Sequence, residues 1–420
     1  MAEKLTFIHA ADLHIGAPFR GLHAVDERWA NRLMGAILES YDKVIQTALD
    51  HQVDFLVLAG DSFDLSTPSY GEYVHFVEGL EALNRADIQV YLLTGNHDPL
   101  AAWNDSYATL PPNVHLFPAD APGFFLYERN GVPLAVLGGR GFAYQSWTGD
   151  GCAADGITRD VAQHKVGAEV PFGIGVLHSG LDIDPNRAPV DPKKLAASGM
   201  DYWALGHIHT PKLMQVADTV ISFSGCVQGR ASKETGRRGV NLVTLPQGSP
   251  AQVEFIPTAS VVYEKAKVDI SGAGTLAEVA EMMLQTLFAV NTRSQCDEMV
   301  ESVTITGATP LHELLSQPGV IDDLRQELNN SYEKFFCDEL IDHTKPVISK
   351  KALRKEGLLP ATFLQVCDTA KDAAESDAAY LQESFWSRGI SLPRAVERRV
   401  DKLQDEAEML VLDMLGGEKL

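Results

Sequence analysis

A run of apolar residues from Val90 to Leu93 stops at Gly95 and is followed by an amide, an imidazole and a carboxylate, Asn96, His97 and Asp98. The run reads as a buried strand. Three polar side chains at its end cannot all be buried cheaply unless something pairs them. The arrangement recurs: Leu5 to Ala10 precedes Asp12-Leu13-His14, and Phe55 to Ala59 precedes Gly60-Asp61-Ser62-Phe63-Asp64. Phe172 to Leu177 stops at His178, and Tyr202 to Leu205 stops at Gly206-His207-Ile208-His209. Ligands of open α/β sheets bind beyond the carboxyl ends of the strands. Five strands ending this way would gather oxygen and imidazole ligands in one place.

The stretches between the first runs are helical in pattern. Trp29 to Asp50 can place Leu33, Ile37, Val44, Ile45 and Leu49 on one face, and a second helix covers Tyr70 to Asn84. Strand–helix–strand–helix–strand order predicts an α/β fold with parallel pairing and right-handed crossovers. After Val114 short β-like runs separated by Pro and Gly predict antiparallel strands and loops, and Gly139 to Lys165 predicts an irregular loop over the site. The first domain is expected at 1–264. Over 265–345 a smaller α/β unit follows, with strands near Ala266 to Ile270, Val303 to Thr306 and Phe335 to His343 and helices at Leu276 to Val290 and Ile321 to Asn330. The remainder, 346–420, is charged and helix-prone. There Val400, Leu403, Ala407, Leu410 and Met414 trace the seam of a partner-seeking helix.

Within a strand-like DxH or HxH, residues two apart point the same way, so both members of each pair can face one ion. Asp61 can bridge two cations, with neutral imidazoles and the Asn96 amide oxygen completing their shells. Mixed nitrogen and oxygen donors without thiolate suit manganese, iron or zinc. Each motif alone is weak, and Asp64 and Asp98 could equally cap turns or helices. The repetition at successive strand ends carries the reading.

Length and charge set bounds on this. A chain of 420 residues predicts two or three domains. A net charge of −22 means that DNA binding would need bound cations, a local basic patch or a partner. Arg230, Lys233, Arg237 and Arg238 form the main basic cluster, either meeting phosphates or lying on a solvated loop. Five scattered cysteines without a CxxC pair argue for reduced thiols. The absence of a signal-like or membrane-spanning run makes a cytoplasmic protein, with no membrane contact, the expectation. His9, His51, His75 and His115 are expected to be structural, and Tyr70, Tyr73, Trp103 and Tyr107 to pack rather than stack on bases.

Taken together, D-L-H at 12–14, G-D-x-F-D at 60–64, G-N-H-D at 95–98, His178 and G-H-I-H at 206–209 resemble the calcineurin-like metallophosphoesterase signature. The spellings A-D-L-H-I-G and A-L-G-H-I-H resemble the DNA-repair exonuclease branch, similar to SbcD. Ser224 to Arg230, followed by Glu234-Thr235-Gly236 and Gly239, resembles its YhaO subgroup. Position 62 is serine, where a bulkier apolar residue is common in that branch.

The resemblance implies a four-layer α/β/β/α sandwich, a smaller α/β capping domain and a C-terminal helical segment. It implies a DNA exonuclease or endonuclease that hydrolyses phosphodiesters with hydroxide activated by two divalent ions, Mn2+ first and Fe2+ or Zn2+ as alternatives. Two such ions about 3.5–4 Å apart activate water and clamp phosphate oxygens during in-line displacement. By the same resemblance Asp12, His14 and His209 hold one ion, Asn96, His178 and His207 the other, and Asp61 bridges. His97, oriented by Asp98, would contact the scissile phosphate and assist the leaving oxygen, with Arg230 binding substrate. Implied partners are DNA and a coiled-coil ATPase of the SbcC or YhaN type, and a homodimer is left open. The competing functions are a phosphatase or small-molecule phosphodiesterase on the same scaffold, and a regulatory scaffold for an ATPase.

Overall fold

Alternation inside the apolar runs decides which layer each side chain joins. β1 (Lys4–Ala10), β2 (Phe55–Ala59) and β3 (Gln89–Leu93) pair in parallel, with α1 (Glu27–Asp50) and α2 (Tyr70–Arg85) between them in sequence. Phe7, Phe55, Val57, Ala59, Tyr91 and Leu93 share one parity and pack into a core with residues of a second sheet. Ile8, Ala10, Leu56, Leu58, Val90 and Leu92 have the other parity and pack against Ile37, Tyr41, Val44, Phe76 and Leu80 of the two helices. Strands buried on both faces read as unbroken apolar runs, which is why these were visible in the sequence. α2 starts at a capping box in which the Ser69 hydroxyl accepts from the Glu72 backbone N–H while the Glu72 side chain accepts from that of Ser69.

The computed structural model describes residues 3–17, 27–64, 68–103, 109–147, 151–181, 188–356, 359–373 and 399–416. Tyr107 lies outside them. β4 (Val114–Leu116) extends the first sheet in parallel beside β3. β5 (Gly123–Arg129) and β6 (Val132–Arg140) form a hairpin whose Asn130-Gly131 turn has φ of 54° and 75°. Helix α3 (Arg159–Val166), β7 (Phe172–His178), α4 (Pro192–Ala196) and β8 (Tyr202–Gly206) come next. They are followed by β9 (Lys212–Val216), β10 (Thr219–Phe223), β11 (Gly239–Pro246) and β12 (Gln252–Pro257). The first sheet has the order β12-β11-β1-β2-β3-β4 and the second β5-β6-β7-β8-β10-β9.

Helices α1 and α2 cover the outer face of the first sheet. On the second sheet, Val136, Leu177, Trp203, Leu205, Ile221 and Phe223 pack with Ala162 of α3 and Leu195 of α4. The result is the four-layer α/β/β/α sandwich.

The antiparallel expectation after Val114 needs correcting. The β5–β6 and β9–β10 hairpins and the two outer strands β11 and β12 are antiparallel, but β6, β7, β8 and β10 run parallel. Nor is Gly139 to Lys165 wholly irregular. It carries the end of β6 and most of α3, whose Thr158 N-cap accepts from the Val161 N–H at 3.3 Å and whose chain leaves through a left-handed Gly167. α3 and α4 are too short to show a clear apolar period, so the crossovers were hard to read.

Beyond β12 come β13 (Val261–Asp269), α5 (Leu276–Ser294), β14 (Glu298–Ala308), α6 (His312–Leu315), α7 (Val320–Ser331) and β15 (Phe335–Lys345). The three strands form a sheet in the order β13-β14-β15. Then follow α8 (Lys350–Glu356), α9 (Leu359–Ala373) and a helix at Val400–Gly416. Two compact units result, one of Met1–Lys265, Phe288–Ser302 and Tyr332–Asp338, the other of Ala266–Leu287, Val303–Ser331 and Glu339–Leu420. In the second unit Lys350 pairs with Glu408 at 2.6 Å and Arg354 with Asp368 at 2.9 Å. On the last helix Ala407, Leu410 and Met414 are exposed, whereas Glu408 and Leu412 are buried. Among the described residues, no helix is long and apolar enough to cross a membrane.

Candidate metal centre

The residues after β1 and β2 continue side by side once the strands end. Asp12 N–H donates to Gly60 O, His14 N–H to Asp61 O and Ile15 N–H to Ser62 O, each at 3.0 Å. Along this ladder the backbone is left-handed at Asp12 (φ 53°), His14 (φ 49°), Gly60 (φ 91°) and Asp61 (φ 53°). His207 after β8 is at φ 92°, and its N–H donates to both Asp12 carboxylate oxygens at 3.0 and 3.1 Å. Non-glycine residues held at positive φ cost about 1–3 kcal/mol each and cluster at functional sites. Asp12 and His14 therefore do not converge through strand alternation, as DxH suggested. Their side chains turn inward because the backbone leaves the strand conformation. At the end of β3, Gly95 is required by contact, since a Cβ there would lie 2.1 Å from Asp61 Oδ1.

All seven expected ligands meet at this place. His14 Nε2 lies 3.1 Å from His209 Nε2 and 3.9 Å from Asp12 Oδ1, and His209 Nε2 is 3.8 Å from Asp12 Oδ1. On the other side, Asn96 Oδ1 is 3.1 Å from both His178 Nε2 and His207 Nδ1. Between the two groups stands Asp61 Oδ2, 3.7 Å from His14 Nε2 and 3.3 Å from His178 Nε2. Its other oxygen accepts the His97 backbone N–H at 2.8 Å. Donors about 2.1 Å from a metal ion lie roughly 3.0–3.4 Å apart around it, so these separations suit divalent cations. His178 Nδ1 faces the Ala59 carbonyl at 3.0 Å, which leaves its Nε2 lone pair for the site.

Burial and charge act in opposition here. Burial works against the charge on Asp61, but His178 and His14 outweigh it and hold this carboxyl well below the usual carboxylate range. Burial likewise opposes charge on His178, and Asp61 overcomes it, raising the imidazole to about 9. His14 is pushed well below its ordinary value, chiefly by burial. Without an ion the His178 proton balances the Asp61 charge, and a cation entering between them would take the place of that proton.

The expectation that Asp98 orients His97 is corrected. Asp98 is 2% exposed and accepts three backbone N–H groups, from Asp61 at 3.0 Å, Ser62 at 2.8 Å and Gly95 at 2.6 Å. It pins the ends of β2 and β3 together, and burial, with Asp61 adding, pushes it up to about 8. The carboxylate on His97 belongs to Asp64, whose Oδ1 is 2.5 Å from His97 Nδ1 and whose hydrogen bond raises the His97 pKa. Trp103, which packs against Phe63, donates its indole N–H to Asp98 O at 2.9 Å.

A cavity of about 460 Å³ opens over these residues, lined among others by Asp61, His97, His207, His209, Arg230 and Lys233. The basic cluster divides. Arg230 and Lys233 line the cavity, whereas the buried Arg238 guanidinium donates to the backbone carbonyls of Thr235 (2.7 Å) and His209 (3.2 Å). Arg237 lies 6.0 Å from the Phe255 ring centre. Sequence reasoning gave no role to Glu234, whose Oε1 is 2.6 Å from His209 Nδ1. Burial opposes its charge, but the bond to His209 lowers its pKa to about 2. Glu234-Thr235-Gly236 entered only as part of the YhaO-like spelling, and the pairing with His209 spans 25 positions. His9 is buried between the sheets with Nδ1 2.9 Å from the Tyr202 hydroxyl, away from the ligand set.

Residues 5–211 match the calcineurin-like phosphoesterase family, and residues 263–344 match the middle domain of the metallophosphoesterase YhaO. The chain is 32% identical over 332 residues to YhaO of Bacillus subtilis, covering 78% of each chain. It is 25% identical over 308 residues to the DNA double-strand break repair protein Mre11 of Halobacterium salinarum, covering 71% of this chain and 70% of that one. It is also 34% identical over 139 residues to one component of the nuclease SbcCD of Escherichia coli K12, which is 32% of each chain. With identity to YhaO running through more than three quarters of both chains, this protein belongs to the calcineurin-like metallophosphoesterases, in the branch of YhaO, and is a phosphodiester hydrolase.

Proposed function

We propose that this protein is a DNA nuclease acting in DNA repair, with two divalent cations, Mn2+ foremost, in the centre at the sheet ends. One observation carries the dinuclear reading: Asp61 Oδ2 stands between His14 Nε2 and His178 Nε2, at 3.7 and 3.3 Å, where one carboxylate oxygen can serve both ions. Asp12, His14 and His209 are assigned to one ion and Asn96, His178 and His207 to the other. When bound, the two ions supply a nucleophile at neutral pH and neutralise charge on the phosphoryl oxygens.

The remaining work falls to the chain's own groups. His97, held by Asp64, faces the cavity and delivers a proton to the leaving oxygen. Arg230 and Lys233 bring positive charge to the same cavity and orient the phosphodiester. The names of the Mre11 and SbcCD relatives support DNA as substrate. The three-part division at 1–264, 265–345 and 346–420 is retained as part of this reading, with the last part docking a coiled-coil ATPase. Exposed Leu410 and Met414 on the final helix support that contact.

The test is hydrolysis by purified protein with Mn2+ of end-labelled DNA, a bis-nitrophenyl phosphodiester and a nitrophenyl phosphomonoester, each repeated with EDTA. Cleavage of DNA and diester, abolished by EDTA and restored by Mn2+, is expected. Arg230→Ala is expected to raise KM more than it lowers kcat. Hydrolysis of the monoester with DNA intact, with and without the ATPase, would sink the nuclease reading.

A further inference from the structure

The four imidazoles assigned to the ions are not backed alike. His178 Nδ1 has the Ala59 carbonyl, and His207 Nδ1 faces Asn96. Among the described residues His14 Nδ1 has no hydrogen-bond partner, its near carboxylate being Asp64 Oδ1 at 3.8 Å. The outer nitrogen of His209 is in hydrogen-bond contact with a carboxylate, Glu234 Oε1 at 2.6 Å from Nδ1. An imidazole whose Nδ1–H donates to a carboxylate keeps its Nε2 lone pair free and its ring fixed, and becomes a better donor to a cation. His209 Nε2 is the atom that faces His14 and Asp12.

The second oxygen of Glu234 is also engaged. Oε2 accepts the backbone N–H of Arg230 at 2.7 Å. The arginine that lines the cavity and the histidine that faces the cations are thus tied to the two oxygens of one side chain. The backbone of His209 is held separately, because its carbonyl accepts from Cys226 N–H at 3.1 Å and from Arg238 at 3.2 Å. Removing the Glu234 carboxylate therefore frees the His209 ring and the Arg230 peptide while leaving the His209 backbone in place.

We propose that Glu234 is a positioning residue that orients His209 toward one of the two cation sites and at the same time fixes the Arg230 loop for phosphate binding. One carboxylate thereby links metal affinity at the His209 site to recognition of the substrate phosphate. The inference rests on the two-ion reading and goes beyond it by making the two halves of the centre unequal. The bonds on the two oxygens act together, so occupancy of the His209 site and phosphate affinity strengthen each other.

The test compares Glu234→Gln, which has nearly the same shape and one acceptor oxygen, with Glu234→Ala. Mn2+ is titrated into each apoprotein by calorimetry and followed by electron paramagnetic resonance, and inorganic phosphate is titrated into the Mn2+-loaded proteins. Expected are two Mn2+ sites in the wild type, with one weakened about 10–100-fold and the other unchanged in both variants. Phosphate affinity is expected to fall in the same variants, whereas Arg230→Ala loses phosphate affinity and keeps both Mn2+ sites. Wild-type affinity at both sites in Glu234→Gln and Glu234→Ala, or equal weakening of both sites, overturns the role of Glu234. A wild type that binds fewer than two ions overturns the dinuclear reading instead.

Discussion

Asp64→Ala separates the two carboxylates that adjoin His97. Asp64 Oδ1 is 2.5 Å from His97 Nδ1, with the Asp64 side chain 9% and that of His97 29% exposed. A hydrogen bond with a charged partner is worth about 1.5–3 kcal/mol. If it is needed to hold His97 at the leaving oxygen, its loss lowers kcat by about 10–100-fold. Asp64→Asn keeps a neutral acceptor and is expected to lose roughly half of that in free energy. Asp98→Asn should behave differently. Its two oxygens take three backbone N–H groups, and an amide offers only one acceptor, so at least one N–H meets an NH2. That mismatch costs about 1–3 kcal/mol of stability, a few degrees in melting temperature. The assay is kcat on a nitrophenyl phosphodiester at saturating Mn2+, with bound metal counted by mass spectrometry and unfolding followed by circular dichroism. Full metal content, a melt lowered by no more than a few degrees and reduced kcat are expected for Asp64→Ala. If Asp64→Ala keeps kcat within about twofold of wild type while two ions are bound, the assignment of Asp64 to His97 fails.

Two further outcomes concern the scaffold of the site and the stability of the fold. Gly95→Ala would place a Cβ 2.1 Å from Asp61 Oδ1 and 2.6 Å from its backbone N, so Asp61 must move. Mn2+ stoichiometry should fall below two and diester hydrolysis should drop at least about 100-fold, since a shift of about 1 Å can cost that much; retention of both ions would show that the contact relaxes harmlessly. Glu301 in β14 is 1% exposed with neither oxygen hydrogen-bonded among the described residues, and burial, with Glu264 adding, raises its carboxyl to about 8 from 4.5. The folded state therefore binds this proton more tightly than the unfolded chain, so its contribution is full below pH 4.5 and is lost as pH rises toward 8. Glu301→Gln should flatten the fall in melting temperature across that window, an effect on the order of a few kcal/mol; parallel wild-type and variant curves would show that Glu301 does not titrate there.

The residues that gather at the strand ends were legible because their signals are local. Asp12, His14, Asp61, Asn96, His178, His207 and His209 each follow an apolar run, and strand ends can be read from composition and period alone. The carboxylates behind the histidines were not legible in the same way. Asp98 adjoins His97 in sequence, yet it turns back onto the backbone of Asp61, Ser62 and Gly95, while Asp64 reaches His97 from 33 positions away. Glu234 reaches His209 from a loop after β10.

The same division runs through the whole protein. Residue type and alternation, properties of a few neighbouring positions, determined the buried strands, the α/β class and the chemistry available at the strand ends. Tertiary structure decided the left-handed turns at Asp12, His14 and Asp61, the parallel run of β6, β7, β8 and β10, and the matching of each carboxylate to an imidazole. Those depend on where loops from distant strands come to rest, and a hydrogen bond of 2.5 Å between Asp64 and His97 exists only once the ends of β2 and β3 lie side by side.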